Sequence, residues 1–231
     1  MVALVIPALN EGEIIGEVVR SIPALVDRVI VVDNGSTDDT AKRAEEAGAL
    51  VVAQPARGYG RACRAGVHAA IAAGADIIVF MDGDGSDCPE FLEALVTPIL
   101  RDKYDFVIGS RIRGEREPGS LTFQQVFAGR LAGWMLQAWY GVKFTDMSPF
   151  RAIRRSVLEA LPMREETYGW NLEMQMLVAR AKVRILEIPV NHRRRQGGVS
   201  KVSGTVRGTL LAGVRIASTF LRVAFTAKSA R

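Results

Sequence analysis

The chain has 231 residues, of which 48% are hydrophobic and 24% are charged, and it contains two cysteines. This composition excludes a disordered chain and a disulfide-stabilised scaffold, and neither Cys63 nor Cys88 lies in a CxxC pair that would indicate zinc. The net charge of +5 is unevenly divided, because residues 1–100 carry 7 basic and 15 acidic side chains and residues 101–231 carry 23 and 10. The basic half indicates an anionic partner: a nucleic acid, a phosphorylated substrate or a membrane surface.

The first hundred residues alternate between strand and helix patterns. Short apolar runs between turn residues predict buried parallel strands at Val2–Ile6, Val29–Asp33, Leu50–Ala53, Ile77–Met81 and Phe106–Ile108. Helical spacing fills the intervals at Glu11–Ser21, Thr37–Ala47, Gly60–Ala73 and Pro89–Leu100. We therefore predict an α/β fold with a mostly parallel central sheet flanked by helices, whose ligands bind beyond the C-terminal ends of the strands.

After residue 110 the alternation stops. Helical patterns follow at Phe123–Tyr140 and Trp170–Ala181, then a strand at Val183–Val190 and a final helix over Val202–Phe225. No repeat or linker divides the chain, so we expect one composite domain over residues 1–231. We expect no signal peptide, because no basic leader precedes the first strand, and no window reaches the roughly 20 apolar residues of a membrane helix. The expected location is the cytoplasm, including the cytoplasmic face of the membrane.

Acidic residues follow two of the predicted strands. Asp82 and Asp84 come directly after the fourth strand, and Asp33 ends the second. In a parallel sheet these positions share one edge, where two neighbouring carboxylates repel each other unless a cation joins them. Oxygen ligands without His or Cys suit Mg²⁺ or Mn²⁺. The alternative interpretation is a pair of solvated turn aspartates, since Asp-Gly is common in turns.

Two other nucleotide-binding classes are excluded by their motifs. The chain has no Gly-x-x-x-x-Gly-Lys-Ser/Thr, and its first strand continues into Pro-Ala-Leu-Asn instead of Gly-x-Gly. A P-loop hydrolase and a nicotinamide enzyme therefore do not fit. Nucleic-acid binding lacks a recognised module or stacking motif, so we expect no nucleic-acid partner.

Together these motifs resemble glycosyltransferase family 2, the inverting enzymes of the GT-A fold, and most closely the polyprenyl-phosphate sugar transferases of the dolichyl-phosphate mannosyltransferase group. The resemblance implies a nucleotide-sugar-binding half over residues 1–110, an acceptor half over residues 111–200 and a C-terminal amphipathic helix over residues 201–228. The implied activity is metal-dependent, inverting transfer of a sugar from a UDP- or GDP-sugar to a polyprenyl phosphate.

The same resemblance assigns the donor site. Metal ligands are implied at Asp82, Asp84 and Ser86, the last standing where close relatives often have Gln. The nucleoside and diphosphate are assigned to both halves of the chain. Their positions are Pro7, Leu9, Glu11, Val31, Asp33, Asp82 and Gly83 in the first half, with Arg195 and Lys201 in the loop that covers the diphosphate.

The acceptor site is assigned to the basic half. Arg111 matches the family's Gly-Ser-Arg arginine, and Arg130 matches a second arginine that grips acceptor phosphate. A phosphate acceptor needs no general base, whereas a hydroxyl acceptor does, and Asp146 and Glu173 are the candidates for that role. The sequence does not choose between the two acceptors. Nucleotidyl transfer to a sugar phosphate is less favoured, because the first loop lacks the Gly-rich basic pattern, and intact Asp82 and Asp84 argue against a non-catalytic binding protein.

The final helix carries a basic stripe. Arg207, Arg215 and Arg222 recur at intervals of eight and seven residues among apolar side chains. Such a helix binds an anionic bilayer, a second copy of the chain or its own domain, and all three remain open. Trp134 and Trp139, in the helical pattern before it, are expected in core or interface packing.

Overall fold

The computed structural model describes residues 1–197 and 217–225. Its strands are β1 (Val2–Ala8), β2 (Arg28–Asp33), β3 (Leu50–Ala53), β4 (Ile77–Phe80), β5 (Phe106–Ser110), β6 (Arg151–Arg154) and β7 (Ile185–Pro189). Its helices are α1 (Ile15–Arg20), α2 (Thr40–Glu46), α3 (Tyr59–Ala72), α4 (Leu92–Leu100), α5 (Phe123–Tyr140), α6 (Arg155–Ala160) and α7 (Trp170–Arg180), with a further helix over residues 217–225.

The seven strands form one sheet in the order β3-β2-β1-β4-β6-β5-β7. Only β6 runs antiparallel to its neighbours. Along β1, Ala3 and Val5 belong to one hydrophobic cluster and Leu4 and Ile6 to another, as alternating side chains on a sheet buried on both faces require. The predicted α/β fold with a mostly parallel sheet is confirmed.

β6 and α6 are absent from the sequence prediction. β6 lies between β4 and β5, so two strands that are consecutive in the predicted series are separated by a strand from later in the chain. Its first residue, Arg151, is fully buried and donates to the carbonyls of Pro149 and Asn171. A buried arginine interrupts the apolar run by which a central strand is recognised, so the pattern conceals β6.

The helix over residues 217–225 contacts the domain itself. Phe220 and Val223 are buried in the same hydrophobic cluster as α7. Most of the helix predicted over Val202–Phe225, including Arg207 and Arg215, lies outside the described residues. Within the described parts of the chain, no helix has the length and apolar character needed to span a bilayer.

Asp105, just before β5, joins two other strands by ion pairs. Its carboxylate accepts from Arg184 at 2.7 and 2.9 Å and lies 3.4 Å from Arg154 Nε. The hydrogen bonds from Arg184 lower the pKa of Asp105 to about 2. Since the folded pKa lies below the ordinary value of 3.8, this group contributes stability above pH ~4 that is lost as the pH falls towards ~2.

We expect Asp105→Asn to lower the melting temperature at neutral pH, with the deficit relative to wild type shrinking as the pH falls from about 4 to about 2. The reason is that only the ionised carboxylate gains from Arg184. Melting curves across this range measure the effect. A deficit independent of pH would contradict it.

Candidate active site

The residues after β4 form a tight acidic turn. Asp84 Oδ1 accepts from the backbone N–H of Ser86 at 2.9 Å and from its hydroxyl at 2.6 Å. Asp87 accepts from the backbone N–H of Asp82 at 3.0 Å. The hydroxyl of Ser86 therefore orients Asp84, and its role as a metal ligand stays a prediction.

Negative charge is concentrated in this turn. Burial raises the pKa of Asp82 well above its ordinary value, and the charges of Asp87 and Asp84 raise it further. The positive charges of Arg111 and Arg195 lower the pKa of Asp82. Three carboxylates and two guanidinium groups thus share one edge of the sheet, and an added cation would stabilise the ionised form of Asp82.

Arg195 joins the acidic turn to the loop after β1. Its guanidinium lies 2.9 Å from Asp84 Oδ2 and 2.8 Å from Glu11 Oε1. The backbone holds it there, because Arg193 donates to the Ser86 carbonyl and Gln196 to the Asp84 carbonyl, both at 2.9 Å. The fold therefore brings Glu11, Asp84 and Arg195 together. Lys201, the other predicted diphosphate residue, lies outside the described residues.

Asp87 and His192 are members of this edge that the sequence prediction missed. They form an isolated β-bridge, both are buried, and His192 Nδ1 lies 3.6 Å from Asp87 Oδ1. Their pairing fixes the start of the segment that carries Arg195. The only sequence signal is the position of His192 shortly after β7.

Arg111 and Asp146 form a buried pair at the end of β5. The guanidinium donates to both carboxylate oxygens, at 2.8 and 2.9 Å, and the backbone N–H of Arg111 adds a bond of 3.0 Å. Burial alone would raise the pKa of Asp146, but the charge and hydrogen bonds of Arg111 outweigh it and hold the pKa below its ordinary value. Asp146 is thus an ionised group that fixes the Arg111 fork, and its role as a general base stays a prediction.

Arg130 is exposed on α5. The preceding residue, Gly129, packs against Asp146: a Cβ added at Gly129 would lie 3.4 Å from Asp146 Oδ1. α5 therefore crosses over the Arg111–Asp146 pair and places the backbone of Arg130 beside it.

Glu173, the second predicted base, is fully buried in α7. Its Oε2 accepts from the backbone N–H groups of Arg164 and Glu165 at 3.0 and 2.7 Å, and its Oε1 accepts from Arg222 at 2.8 Å. These contacts join α7 to the preceding loop and to the helix over residues 217–225. They favour a structural role.

We expect Glu173→Gln to lower the free energy of unfolding by about 3 kcal/mol, because it removes the buried charge that pairs with Arg222. The folded protein should keep the wild-type pH profile of any transfer activity, which a general base would determine. Denaturant unfolding and a pH–rate series measure both effects. Glu159→Gln, which breaks an exposed pair with Arg155, is the matched control and should be nearly neutral. Loss of the acidic limb of the pH profile would assign catalysis to Glu173.

The remaining predicted donor residues lie around β1 and β2. Asp33 accepts from the backbone N–H of Ser36 at 3.0 Å, and Pro7 lies in β1, near its C-terminal end. Leu9 follows β1 and is half-buried, whereas Val31 is fully buried within β2. Gly83 allows the acidic turn to approach β1, since an added Cβ would lie 3.1 Å from Ile6 Cγ2.

Gly58, which directly precedes α3, approaches another part of the chain. A Cβ on Gly58 would lie 2.5 Å from the carbonyl oxygen of Glu166, and the backbone N–H of Arg61 donates to that oxygen at 3.0 Å. The side chain of Arg61 also pairs with Glu166, at 2.5 Å. These contacts explain the glycine at position 58 by close backbone packing.

Solved structures resemble this arrangement over nearly the whole chain. Glucosyl-3-phosphoglycerate synthase from Mycobacterium tuberculosis, in complex with Mn²⁺, UDP and phosphoglyceric acid, gives a TM-score of 0.77 at 27% identity, covering 99% of this chain and 80% of that one. The same synthase with Mg²⁺ and UDP gives 0.76. This likeness confirms the predicted GT-A fold.

Two sequence relatives and a family model agree with it. An uncharacterized glycosyltransferase of Mycobacterium tuberculosis is 38% identical over 213 residues, covering 91% of this chain and 94% of that protein. The undecaprenyl-phosphate mannosyltransferase of Micrococcus luteus is 30% identical over 231 residues, covering 92% of each. The family model for glycosyl transferase family 2 matches residues 3–161. The chain therefore belongs to glycosyl transferase family 2 and is a glycosyltransferase.

Proposed function

We propose that this enzyme transfers a sugar, with inversion, from a UDP- or GDP-sugar to a polyprenyl phosphate. The observation that carries the proposal is the shared sheet edge, where Arg195 lies 2.9 Å from Asp84 and the charge of Arg111 lowers the pKa of Asp82. Arg195 thus lies next to the donor carboxylate of Asp84, and the guanidinium of Arg111 is held in a fixed orientation by Asp146. We infer a donor half over residues 1–110 and an acceptor half over residues 111–200, with Arg195 reaching from the second half to the donor carboxylates.

The donor residues fit a divalent ion. Asp82 and Asp84 offer hard oxygen ligands, and the raised pKa of Asp82 reflects negative charge that a cation would balance. Among the residues the structure describes, no group of three or more His, Cys, Asp or Glu side chains is arranged as a metal site. Asp82 and Asp84 would hold Mg²⁺ or Mn²⁺ together with oxygens of the substrate diphosphate. When bound, the ion would neutralise the charge that develops on the leaving diphosphate.

Arg195 would bind the diphosphate of the donor, and Arg111 and Arg130 would bind the acceptor. Arg195 reaches Asp84 and Glu11, so a modest movement of its fork would allow it to donate to a diphosphate oxygen. Arg111, fixed by Asp146, would grip the acceptor phosphate, with Arg130 beside it. Because a phosphate oxygen is already anionic, it attacks the sugar without a general base.

The acceptor class is supported by the similarity to the undecaprenyl-phosphate mannosyltransferase. A polyprenyl phosphate acceptor implies that the enzyme contacts the cytoplasmic face of a membrane. A second candidate is transfer to a hydroxyl of a small phosphorylated acid, favoured by the synthase crystallised with phosphoglyceric acid. In that case Asp146 would have to exchange its bond to Arg111 for the acceptor hydroxyl.

A thermal-shift panel of UDP- and GDP-sugars, each with Mn²⁺, Mg²⁺ or chelator, tests the donor half of the proposal. We expect one nucleotide family to raise the melting temperature only when a divalent ion is present. The exposed Asp39→Asn variant should behave like wild type, and Asp84→Asn should lose the metal-dependent shift. Stabilisation by no nucleotide sugar with either ion would contradict the proposal.

A further inference from the structure

α5 carries a stripe of exposed apolar side chains. The exposed fractions are 81% for Phe123, 57% for Phe127, 43% for Leu131 and 68% for Trp134. Their spacing of four, four and three residues places all of them on one face of the helix. We call these four residues the α5 stripe. For Trp134, the core alternative of the sequence prediction is wrong, and interface packing stays a prediction.

The other face of α5 is made of small residues that contact the domain. Gly129 approaches Asp146, and Gly133 approaches the carbonyl of Phe144 so closely that no side chain would fit. Ala132 and Leu136 complete this buried face. The helix is therefore fixed in its rotation, and the stripe faces outward as a consequence of that packing.

The charge on the stripe indicates its partner. Arg130 is the only charged residue among the 18 of α5. It lies three residues after Phe127 and four before Trp134, on the same face, and is exposed. Aromatic side chains beside a lone arginine, without a carboxylate, match the boundary between acyl chains and anionic headgroups.

A second copy of the chain matches this surface less well. In a two-fold symmetric dimer the same patch meets itself. Arg130 would then be buried against an apolar face that offers no carboxylate from α5, which is unfavourable for a charged group. Charge complementarity therefore favours a bilayer.

We propose that the α5 stripe docks on the surface of an anionic bilayer, with Arg130 at the level of the phosphate headgroups. The inference rests on the proposed function, because docking of α5 on a bilayer would bring a lipid acceptor to the Arg111–Asp146 pair beneath this helix.

Co-sedimentation of the full chain with vesicles tests this contact. The vesicles are phosphatidylcholine, either alone or with about one third phosphatidylglycerol. We expect wild type to bind the anionic vesicles and the double variant Phe127→Gln, Trp134→Gln to bind them at least about tenfold less. Arg130→Gln should weaken binding to anionic vesicles more than to neutral ones. Leu100→Gln, at a residue of α4 that is 55% exposed, is the matched control and should bind like wild type.

Two outcomes would overturn the docking surface: no sedimentation of wild type with anionic vesicles, or equal binding by the double variant. A concentration-dependent dimer in sedimentation velocity, abolished by the double variant in the absence of vesicle binding, would assign the stripe to a second copy and also overturn it. An assay with a short-chain, water-soluble polyprenyl phosphate distinguishes a failure of the docking surface from a failure of the proposed function. The double variant should glycosylate that acceptor like wild type and fail on vesicle-embedded acceptor. If wild type uses neither acceptor, the proposed function fails, whatever the vesicles show.

Discussion

Replacing Asp84 with Asn is expected to lower the rate of sugar transfer by about 100- to 1,000-fold. Asp84 would hold the divalent ion, and it anchors Arg195 at 2.9 Å. The amide keeps the hydrogen bonds of the turn but supplies no negative charge. Steady-state transfer assays over a Mn²⁺ titration measure the loss. We expect it to persist at saturating metal, because the remaining ligands cannot place the ion correctly.

Asp39→Asn is the control for this substitution, since it removes the same charge from an exposed position in the first half of the chain. Its transfer rate should stay within about twofold of wild type. Mn²⁺ binding in the presence of nucleotide, followed by electron paramagnetic resonance, adds a readout that does not depend on turnover. Wild-type activity together with wild-type metal binding in the Asp84→Asn variant would contradict the role of this carboxylate.

Replacing Asp146 with Asn should have the second-largest effect, on stability as well as activity. The substitution leaves the buried guanidinium of Arg111 without its counter-charge, which costs about 3 to 5 kcal/mol of unfolding free energy. The fork also loses its fixed orientation, so we expect the KM for the acceptor to rise about 100-fold while the KM for the donor changes little. Chemical denaturation and separate donor and acceptor titrations measure the two effects.

Arg113→Gln provides the matched control, because its pair with Glu187 is longer, at 3.8 Å, and the arginine is 47% exposed. It should change the unfolding free energy by less than about 1 kcal/mol. Arg111→Lys sharpens the test, since lysine keeps the charge but not the fork. A variant at position 146 with normal affinity for the acceptor would show that Arg111 acts elsewhere.

Much of the sheet edge could be predicted from the sequence. The sequence predicts that Asp33 and Asp82 share one edge of a parallel sheet, and β2 and β4, which lead to these residues, lie on either side of β1 and run parallel to it. The prediction is possible because β1, β2 and β4 are buried on both faces and read as uninterrupted apolar runs.

The second half of the chain could be predicted less well, for three physical reasons. The buried charge of Arg151 conceals β6. Arg222 donates to Glu173 although the two residues are 49 positions apart, and local sequence patterns do not predict contacts at that distance along the chain. The rotation of α5 depends on close backbone contacts at Gly129 and Gly133, so the sequence alone does not choose between core and interface packing for Trp134 and Trp139.

The most direct test of the proposed reaction is a transfer assay with labelled nucleotide sugars, Mn²⁺ and polyprenyl phosphate, followed by extraction into organic solvent. We predict one labelled sugar in the organic phase, released by mild acid as expected for a phosphodiester-linked sugar, with its anomeric configuration inverted relative to the donor. Phosphoglyceric acid is assayed in parallel as the competing acceptor. Transfer to phosphoglyceric acid without lipid product, or retention of the donor configuration, would contradict the proposed reaction.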